Sequence, residues 1–172
     1  MTLTLLQSFF IALLFNPLDS QFQFQFLGLG IDGIALTLIL LTTFLMPICL
    51  LADPDLTIPF LLIEALLMAV FLTLDVLAFY LCFESVLIPL FYLIGKYQGR
   101  ARRLSAALSL YLYTLGGSLL MLIAIAFLYL EASSTNLQLL LSVPIQHQYQ
   151  LPLFLAFFFA FAIKIPMIPF HL

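Results

Sequence analysis

The sequence predicts an all-α integral membrane protein with about six transmembrane helices. Of its 172 residues, 65% are hydrophobic and only 8% are charged, and the mean hydropathy is +1.26. Soluble domains contain about 25% charged residues, so these values exclude an ordinary water-soluble domain. The apolar runs are long and apolar on all sides, which predicts helices rather than the alternating strands of a membrane barrel.

Six apolar segments support this prediction. They lie at 3–15, 31–52, 57–73, 75–95, 104–130 and from Pro152 onwards. The first is short, because about 20 helical residues are needed to cross the bilayer core, and the fifth is long enough to tilt. We expect the sixth helix to begin at Pro152, because proline is tolerated in a first helical turn. Residues 1–172 are predicted to form a single transmembrane domain.

Two short motifs precede the second segment. QFQFQF at 21–26 has a period of two, and we expect an extended interfacial loop whose phenylalanines rest on neighbouring helices. GLGIDG at 28–33 matches the GxGxxG of dinucleotide-binding proteins, which requires a βαβ unit. A helix of lipid length follows instead, so nucleotide binding is rejected. We interpret the glycines as a turn into the membrane, with Asp32 near the helix N-terminus.

The basic residues predict the orientation. Four of the five lie in the loop 96–103, namely Lys96, Arg100, Arg102 and Arg103. The positive-inside rule places this loop in the matrix or the cytoplasm. The N-terminus is then on the same side, and the loop 131–150, which has no basic residue, is on the other. The N-terminus lacks the features of a signal or transit peptide, which fits synthesis inside the organelle or bacterium that uses the protein.

Ionisable residues within the apolar segments are the candidate functional groups. Glu84 lies nine residues into the fourth segment, about 13 Å along a helix, and Lys164 lies twelve residues past Pro152, about 18 Å along. Charges in hydrocarbon are costly and usually face a bundle interior or a hydrated cavity. An acid and a base at similar depth can exchange a proton. The alternative is a static ion pair that only fixes helix packing.

Other polar residues have simpler explanations. Glu64 is either a functional acid or an anchor for a neighbouring helix, and Asp75 is first a helix N-cap and only second a functional acid. Cys49 and Cys82 form no CxxC motif and no Cys/His pair. We therefore expect buried thiols that pack as small hydrophobic groups, with no metal or iron–sulfur ligation by this chain.

The stretch AFAIKIPMIPFHL at 160–172 predicts a broken helix at Lys164. Pro166 lacks an N–H and its ring crowds the carbonyl of Ala162, and Pro169 extends the irregular stretch. Within a membrane, broken helices occur where they line a cavity or are buried in protein, and they form ion sites in transporters. Packing alone is therefore a poor explanation for this lysine.

At this point the sequence resembles the family of NADH dehydrogenase subunit 4, the antiporter-like proton-pumping subunit of respiratory complex I. The resemblance lies in four stretches: LGIDGIALTLILLTTFLMPICLL (29–51), LDVLAFYLCFESVLIPLFYLIG (74–95), LSLYLYTLGGSLLMLIAI (108–125) and AFAIKIPMIPFHL (160–172). The sister subunits 2 and 5 and the Mrp-type antiporters share the Glu/Lys arrangement but are less similar in the flanking residues.

The resemblance implies a fold and site residues. The family has two inverted repeats, each with one discontinuous helix. This chain would form the first part of that bundle, an incomplete first repeat that ends in a discontinuous helix. Glu84 matches the essential glutamate of the family and Lys164 matches its broken-helix lysine. His171 matches a histidine just beyond the break, and its alternative is a satisfied polar group near a helix end.

The resemblance also implies a proton-translocating subunit of NADH:ubiquinone oxidoreductase in the mitochondrial inner membrane, with loop 96–103 facing the matrix. The chain would bind no cofactor, because NADH, FMN, the iron–sulfur clusters and ubiquinone belong to other subunits. Family members continue beyond His171, so either the gene is split or the sequence is a fragment of a longer chain. We expect a split gene, whose product meets a complementary C-terminal fragment. Further expected partners are the subunits similar to 2 and 5 and lipids, but no nucleic acid.

Two other hypotheses stay open from the sequence. The first is a subunit of a Mrp-type cation/proton antiporter with the same Glu84 and Lys164 arrangement. The second is a membrane-embedded structural piece whose buried charges only hold helices together.

Overall fold

The computed structural model describes residues 2–16, 22–26, 28–96, 101–165 and 167–168. These residues form mostly α-helix, with one short hairpin. The helices are α1 (Thr2–Leu14), α2 (Gly33–Ala52), α3 (Thr57–Leu72), α4 (Val76–Ser85), α5 (Leu87–Lys96), α6 (Ala101–Ala132), α7 (Leu137–Ser142) and α8 (His147–Lys164). The strands are β1 (Gln23–Phe26) and β2 (Leu29–Ile31), and a 3-10 turn at Pro54–Leu56 precedes α3.

Four stretches of the described chain are long and apolar enough to cross a membrane. They are Gly33–Ala52, Pro54–Leu72, Val76–Gly95 and Ala107–Ala132. These stretches coincide with the second to fifth predicted segments. The first and sixth segments are helical too, but α1 has only 13 residues and α8 has a polar first turn. The prediction of about six spans is therefore confirmed for four, and the helical fold class is correct.

Helix α8 begins at His147, so the predicted start at Pro152 is wrong. The polar residues before the proline add hydrogen bonds at this end: the Gln150 side-chain amide donates to the carbonyl of Ile145 at 2.9 Å, although the N-cap residue Gln146 makes no side-chain cap hydrogen bond. The Tyr149 N–H donates to the carbonyl of Gln146 at 3.0 Å. These bonds allow an earlier start, and Pro152 lies inside the helix.

The segment 131–150 is more ordered than the predicted loop. Helix α6 continues to Ala132, and the short helix α7 follows. Asn136 caps α7, because its side-chain oxygen accepts a hydrogen bond from the Gln138 N–H at 2.9 Å. The sequence analysis missed this cap, since an isolated six-residue helix has almost no apolar periodicity to detect.

The QFQFQF stretch is extended, as predicted, but its contacts differ from the prediction. Strand β1 pairs antiparallel with β2, and Phe24 and Phe26 are exposed instead of resting on helices. The turn uses Gly28, whose φ of +79° suits glycine. Gly30 approaches Leu74 so closely that a Cβ would lie 2.9 Å from the Leu74 Cδ1 atom. The glycines therefore allow an antiparallel hairpin to form and to pack against Leu74. An antiparallel hairpin is not the βαβ unit that dinucleotide binding requires, so nucleotide binding stays rejected.

The fourth predicted segment is divided at Val86 into α4 and α5. Pro89 weakens the helix at this point, because it has no N–H for the carbonyl of Ser85 and its ring crowds that carbonyl. The Val86 N–H still donates to the Cys82 carbonyl at 3.3 Å. The regular bond from the Leu87 N–H to the next carbonyl, that of Phe83, is missing, since α4 ends at Ser85 and α5 starts at Leu87.

A buried cluster joins α4, α6 and α8. It consists of Tyr80, Met121, Ile125 and Ala160, with the partly buried residues Val76, Phe79, Phe83, Leu122, Phe157 and Phe161 packed around it. Packing of these side chains fixes the relative positions of α4 and α8 on the long helix α6, because helices within a membrane associate through close van der Waals packing. The ends of α4 and α8 meet beside this cluster.

Candidate functional site

The structure brings Glu84 and Lys164 together. Glu84 lies in the last turn of α4, and Lys164 is the last residue of α8. The Lys164 Nζ atom is 3.5 Å from the Glu84 Oε1 atom, and the two side chains are only 19% and 17% exposed. The two charged residues that the sequence analysis singled out on different segments thus form one half-buried ion pair.

The shortest contact of Lys164 is with the residue that precedes Glu84. Its ammonium donates a hydrogen bond of 2.6 Å to the carbonyl oxygen of Phe83. The same nitrogen is 3.2 Å from the centroid of the Phe83 ring. A cation within about 6 Å of a ring centroid is attracted to the face of the ring. Phe83 therefore holds the ammonium through both its backbone and its side chain.

The Glu84 carboxylate is in a different situation. Both of its oxygens are buried, and neither has a hydrogen-bond partner among the described residues. Its 3.5 Å separation from Nζ exceeds the ~2.7–2.9 Å of a charge-assisted hydrogen bond. The pair is thus an electrostatic contact and not a locked hydrogen bond, although buried carboxylate oxygens normally have partners.

Helix α8 stops where the sequence analysis predicted a break. Lys164 is its last residue. Pro166 has no N–H to donate to the carbonyl of Ala162, and the Met167 N–H donates to this carbonyl instead, at 3.0 Å. Pro166, Pro169 and His171 lie outside the described residues. The predicted roles of these three residues therefore stay predictions.

The Phe83 ring packs in an aromatic cluster. It stacks on Phe79 at a centroid distance of 5.4 Å and meets the ring of Phe161 edge-on at 5.6 Å. The Phe83 ring itself offers no hydrogen bond and keeps the surroundings of Lys164 apolar on that side. Electrostatic interactions are stronger in such surroundings than in water, so the Glu84 charge matters more to the lysine.

The two other predicted acids lie elsewhere. Asp75 is the N-cap of α4, as predicted: its Oδ1 atom accepts hydrogen bonds from the N–H groups of Leu77 and Ala78, each at 2.9 Å. Glu64 is 6% exposed in the middle of α3, and its Oε1 atom has no hydrogen-bond partner within the described chain. Neither acid shares the ion pair of Glu84 and Lys164.

Potential metal ligands are dispersed in the described part of the chain. Cys49 and Cys82 are free and half-buried. No group of three or more His, Cys, Asp or Glu side chains that could hold a metal ion occurs among the described residues.

Sequence reasoning missed two features of the site, the interruption at Val86 and the role of Phe83. Pro89 carried a usable signal for the first, because a proline perturbs the carbonyl four residues earlier. No sequence pattern predicts the contact of Phe83 with Lys164, since a phenylalanine in an apolar segment is expected to lie in the core or to face lipid. The contact depends on how α8 approaches α4.

A family model matches residues 73–172, more than half of the chain, and describes "NADH:quinone oxidoreductase/Mrp antiporter, TM". This match contains both residues of the ion pair.

Several curated proteins named NADH-ubiquinone oxidoreductase chain 4 are similar to this chain. That of Mycosarcoma maydis is 46% identical over 161 residues, which cover 89% of this chain and 33% of the relative. That of Chondrus crispus is 43% identical over 189 residues, covering 99% of this chain and 38% of the relative. The chain therefore spans between a third and two fifths of the length of these relatives.

Solved structures share the fold. A chain of respiratory complex I from Thermus thermophilus with bound NADH superposes with a TM-score of 0.79 at 30% identity, covering 98% of this chain and 40% of that chain. The membrane-bound sulfane sulfur reductase, an archaeal respiratory membrane complex, gives a TM-score of 0.76 at 20% identity, a likeness of fold alone. By its sequence and its fold, the chain belongs to the family of NADH:quinone oxidoreductase and Mrp antiporter transmembrane subunits.

Proposed function

We propose that this chain is part of subunit 4 of NADH:ubiquinone oxidoreductase and that Glu84 and Lys164 form a proton-loading site in it. The observation that carries the proposal is the half-buried ion pair at 3.5 Å, with the lysine as the last residue of α8. Relatives at 43–46% identity bear the name of that subunit. These names favour complex I over the Mrp-type antiporter.

The geometry supports a lysine whose charge is controlled by Glu84. Two unit charges about 4 Å apart attract each other by about 4 kcal/mol at an effective dielectric constant of 20. An outward movement of Glu84 would remove much of that attraction. Because about 1.4 kcal/mol corresponds to a factor of ten in a proton-binding constant, a modest displacement is enough to change whether Lys164 holds its proton.

The contacts of the pair keep the free-energy cost of such a displacement low. Glu84 has no hydrogen bond to break among the described residues, and Lys164 keeps its bond to the Phe83 carbonyl when Glu84 moves. Rotation of the Glu84 side chain about its own bonds is enough to alter the distance, because it leaves the backbone of α4, including the Phe83 carbonyl, in place. A fully hydrogen-bonded pair would resist this change.

The proposal covers one step and not a complete proton path. The relatives contain further sequence that this chain does not span, and a path across the membrane needs groups on both sides of Lys164. We assign to this chain the first proton-loading site, in the mitochondrial inner membrane with the basic segment 96–103, predicted as a loop but helical from Ala101 onwards, on the matrix side. NADH oxidation and ubiquinone reduction are assigned to other subunits of the complex, and subunits similar to 2 and 5 to its neighbours.

The test is Lys164→Ala in the assembled complex, in sealed membrane vesicles. We expect NADH-driven proton pumping and the coupled quinone reduction to fall at least about tenfold, because the proton-loading group is gone. Glu64→Gln is the matched control, since Glu64 is a buried membrane acid outside the pair, and it should keep most of the pumping.

Unchanged pumping in Lys164→Ala would refute the proposed site. A native gel tests the wider assignment: migration of the chain with NADH-oxidising activity supports complex I. Its absence from that band, together with cation/proton exchange in the vesicles, would support the antiporter.

A further inference from the structure

Phe83 is the closest partner of the lysine, although it has no ionisable group. Lys164 Nζ is 2.6 Å from its carbonyl oxygen and 3.2 Å from its ring centroid, against 3.5 Å to the Glu84 carboxylate. The charge partner is thus the most distant of the three. Two of the three contacts do not depend on the protonation state or the position of Glu84.

The carbonyl contact exists because the helix is interrupted. In a continuous α-helix the Phe83 carbonyl would accept a hydrogen bond from the N–H of residue 87. Helix α4 ends at Ser85 and α5 starts at Leu87, so this regular helical bond is missing. The interruption therefore leaves a backbone acceptor free, and the lysine occupies it.

The ring contact is equally specific. Phe79 lies one turn earlier on α4 and stacks on Phe83 with an interplanar angle of 16°. Among the described residues, the lysine makes its cation–π contact with Phe83 and with no other ring. The two phenylalanines thus share one aromatic cluster, but only one of them meets the ammonium.

We propose that Phe83 is a positioning residue that holds the ammonium of Lys164 over its ring and carbonyl while Glu84 moves away. This inference rests on the proposed function and deepens it, because it explains where the charged lysine resides when its counterion withdraws. Without the ring, the charged lysine loses an attractive apolar surface and proton loading becomes slower.

The test compares three variants in the assembled complex. Phe83→Leu removes the ring beside the lysine, Phe79→Leu removes a ring of equal size from the same cluster, and Phe83→Tyr keeps the ring face. We expect Phe83→Leu to lower NADH-driven proton pumping per assembled complex about tenfold, the scale of a desolvated cation–π contact. Phe79→Leu should stay within about twofold, and Phe83→Tyr should restore pumping.

Two results would overturn the inference. One is equal pumping in Phe83→Leu and Phe79→Leu, and the other is a Phe83→Tyr variant as impaired as Phe83→Leu. If Phe83→Leu fails to assemble while Phe79→Leu assembles, Phe83 has a packing role and the inference is also wrong. Lys164→Ala in the same assay separates the two proposals: normal pumping in that variant refutes the proposed function itself.

Discussion

Helix α4 carries a carboxylate at each end, and the two are in opposite situations. Asp75 at its start accepts hydrogen bonds from Leu77, Ala78 and Thr135. Glu84, nine residues later, accepts none from the described residues and has only its 3.5 Å contact with Lys164. A carboxylate whose hydrogen bonds are satisfied holds structure in place, whereas one without them is free to respond to charge.

The surroundings of the two acids agree with this division. Next to Asp75 the chain is tied by backbone bonds, from the Val76 N–H to the Thr135 carbonyl at 2.9 Å and from the Leu137 N–H to the Leu74 carbonyl at 2.7 Å. Next to Glu84 the helix is interrupted and one carbonyl binds a lysine. The purely structural hypothesis describes the Asp75 end well, but it leaves the loose pair at Glu84 unexplained.

The largest expected effect is that of Glu84→Gln, which keeps the side-chain shape and removes the charge. Proton pumping per assembled complex should fall at least about tenfold, because an attraction of several kcal/mol is lost. Asp75→Asn is the control: asparagine is a good N-cap, so assembly and pumping should stay near normal. Equal pumping in the two variants would remove the contrast between the acids.

The second-largest effect is expected at a close contact between α6 and α8 beside the lysine. A Cβ at Gly117 on α6 would lie 2.7 Å from the Ile163 Cδ1 atom, next to Lys164, whereas a Cβ at Gly116 would meet nothing within 4 Å. Gly117→Ala should cost about 1–3 kcal/mol through overpacking and lower pumping by displacing the end of α8. Gly116→Ala should be neutral or stabilising. Thermal stability of the complex and pumping would be measured for both, and equal behaviour contradicts the packing of α8 on α6.

Asp75→Ala comes third and should affect stability without affecting coupling. Loss of an N-cap costs about 0.5–2 kcal/mol, and the hydrogen bond with Thr135 is lost as well. We expect less assembled complex on a native gel after mild heating, but an unchanged ratio of protons pumped to NADH oxidised. A changed ratio would show that Asp75 acts in proton transfer.

The smallest effect is expected from Pro89→Ala. Alanine supplies an N–H for the Ser85 carbonyl and removes the ring clash, so α4 and α5 can join into one helix. Pumping should fall less than about threefold, since the Phe83 carbonyl becomes a less available acceptor. Pro47→Ala in α2 is the matched control, because Pro47 also lies inside a helix but outside the site. An equal change of proton pumping in both variants would show that Pro89 has no specific role at the site.

Much of this arrangement was readable from the sequence. The spans that became α2, α3 and α6 were predicted within a few residues, because unbroken apolar runs of lipid length leave few alternatives. Glu84 and Lys164 were also found, since charges in such runs are rare enough to stand out. The end of α8 at Lys164 followed from the proline two residues later.

The rest depended on contacts between segments. The hairpin of β1 and β2 forms against Leu74, which is distant in sequence, and the early start of α8 is accompanied by hydrogen bonds of its first glutamines. The contact of Phe83 with Lys164 depends on the approach of two helices. Local periodicity contains none of this information.

The most direct test of the central claim is the double variant Glu84→Met with Lys164→Met, which replaces the ion pair by apolar side chains of similar size. A pair that only fixes packing can often be replaced in this way without loss. The measurement is NADH-driven proton pumping per assembled complex, with assembly followed on a native gel. Our account predicts normal assembly with pumping reduced at least about tenfold. Normal assembly with normal pumping would contradict it.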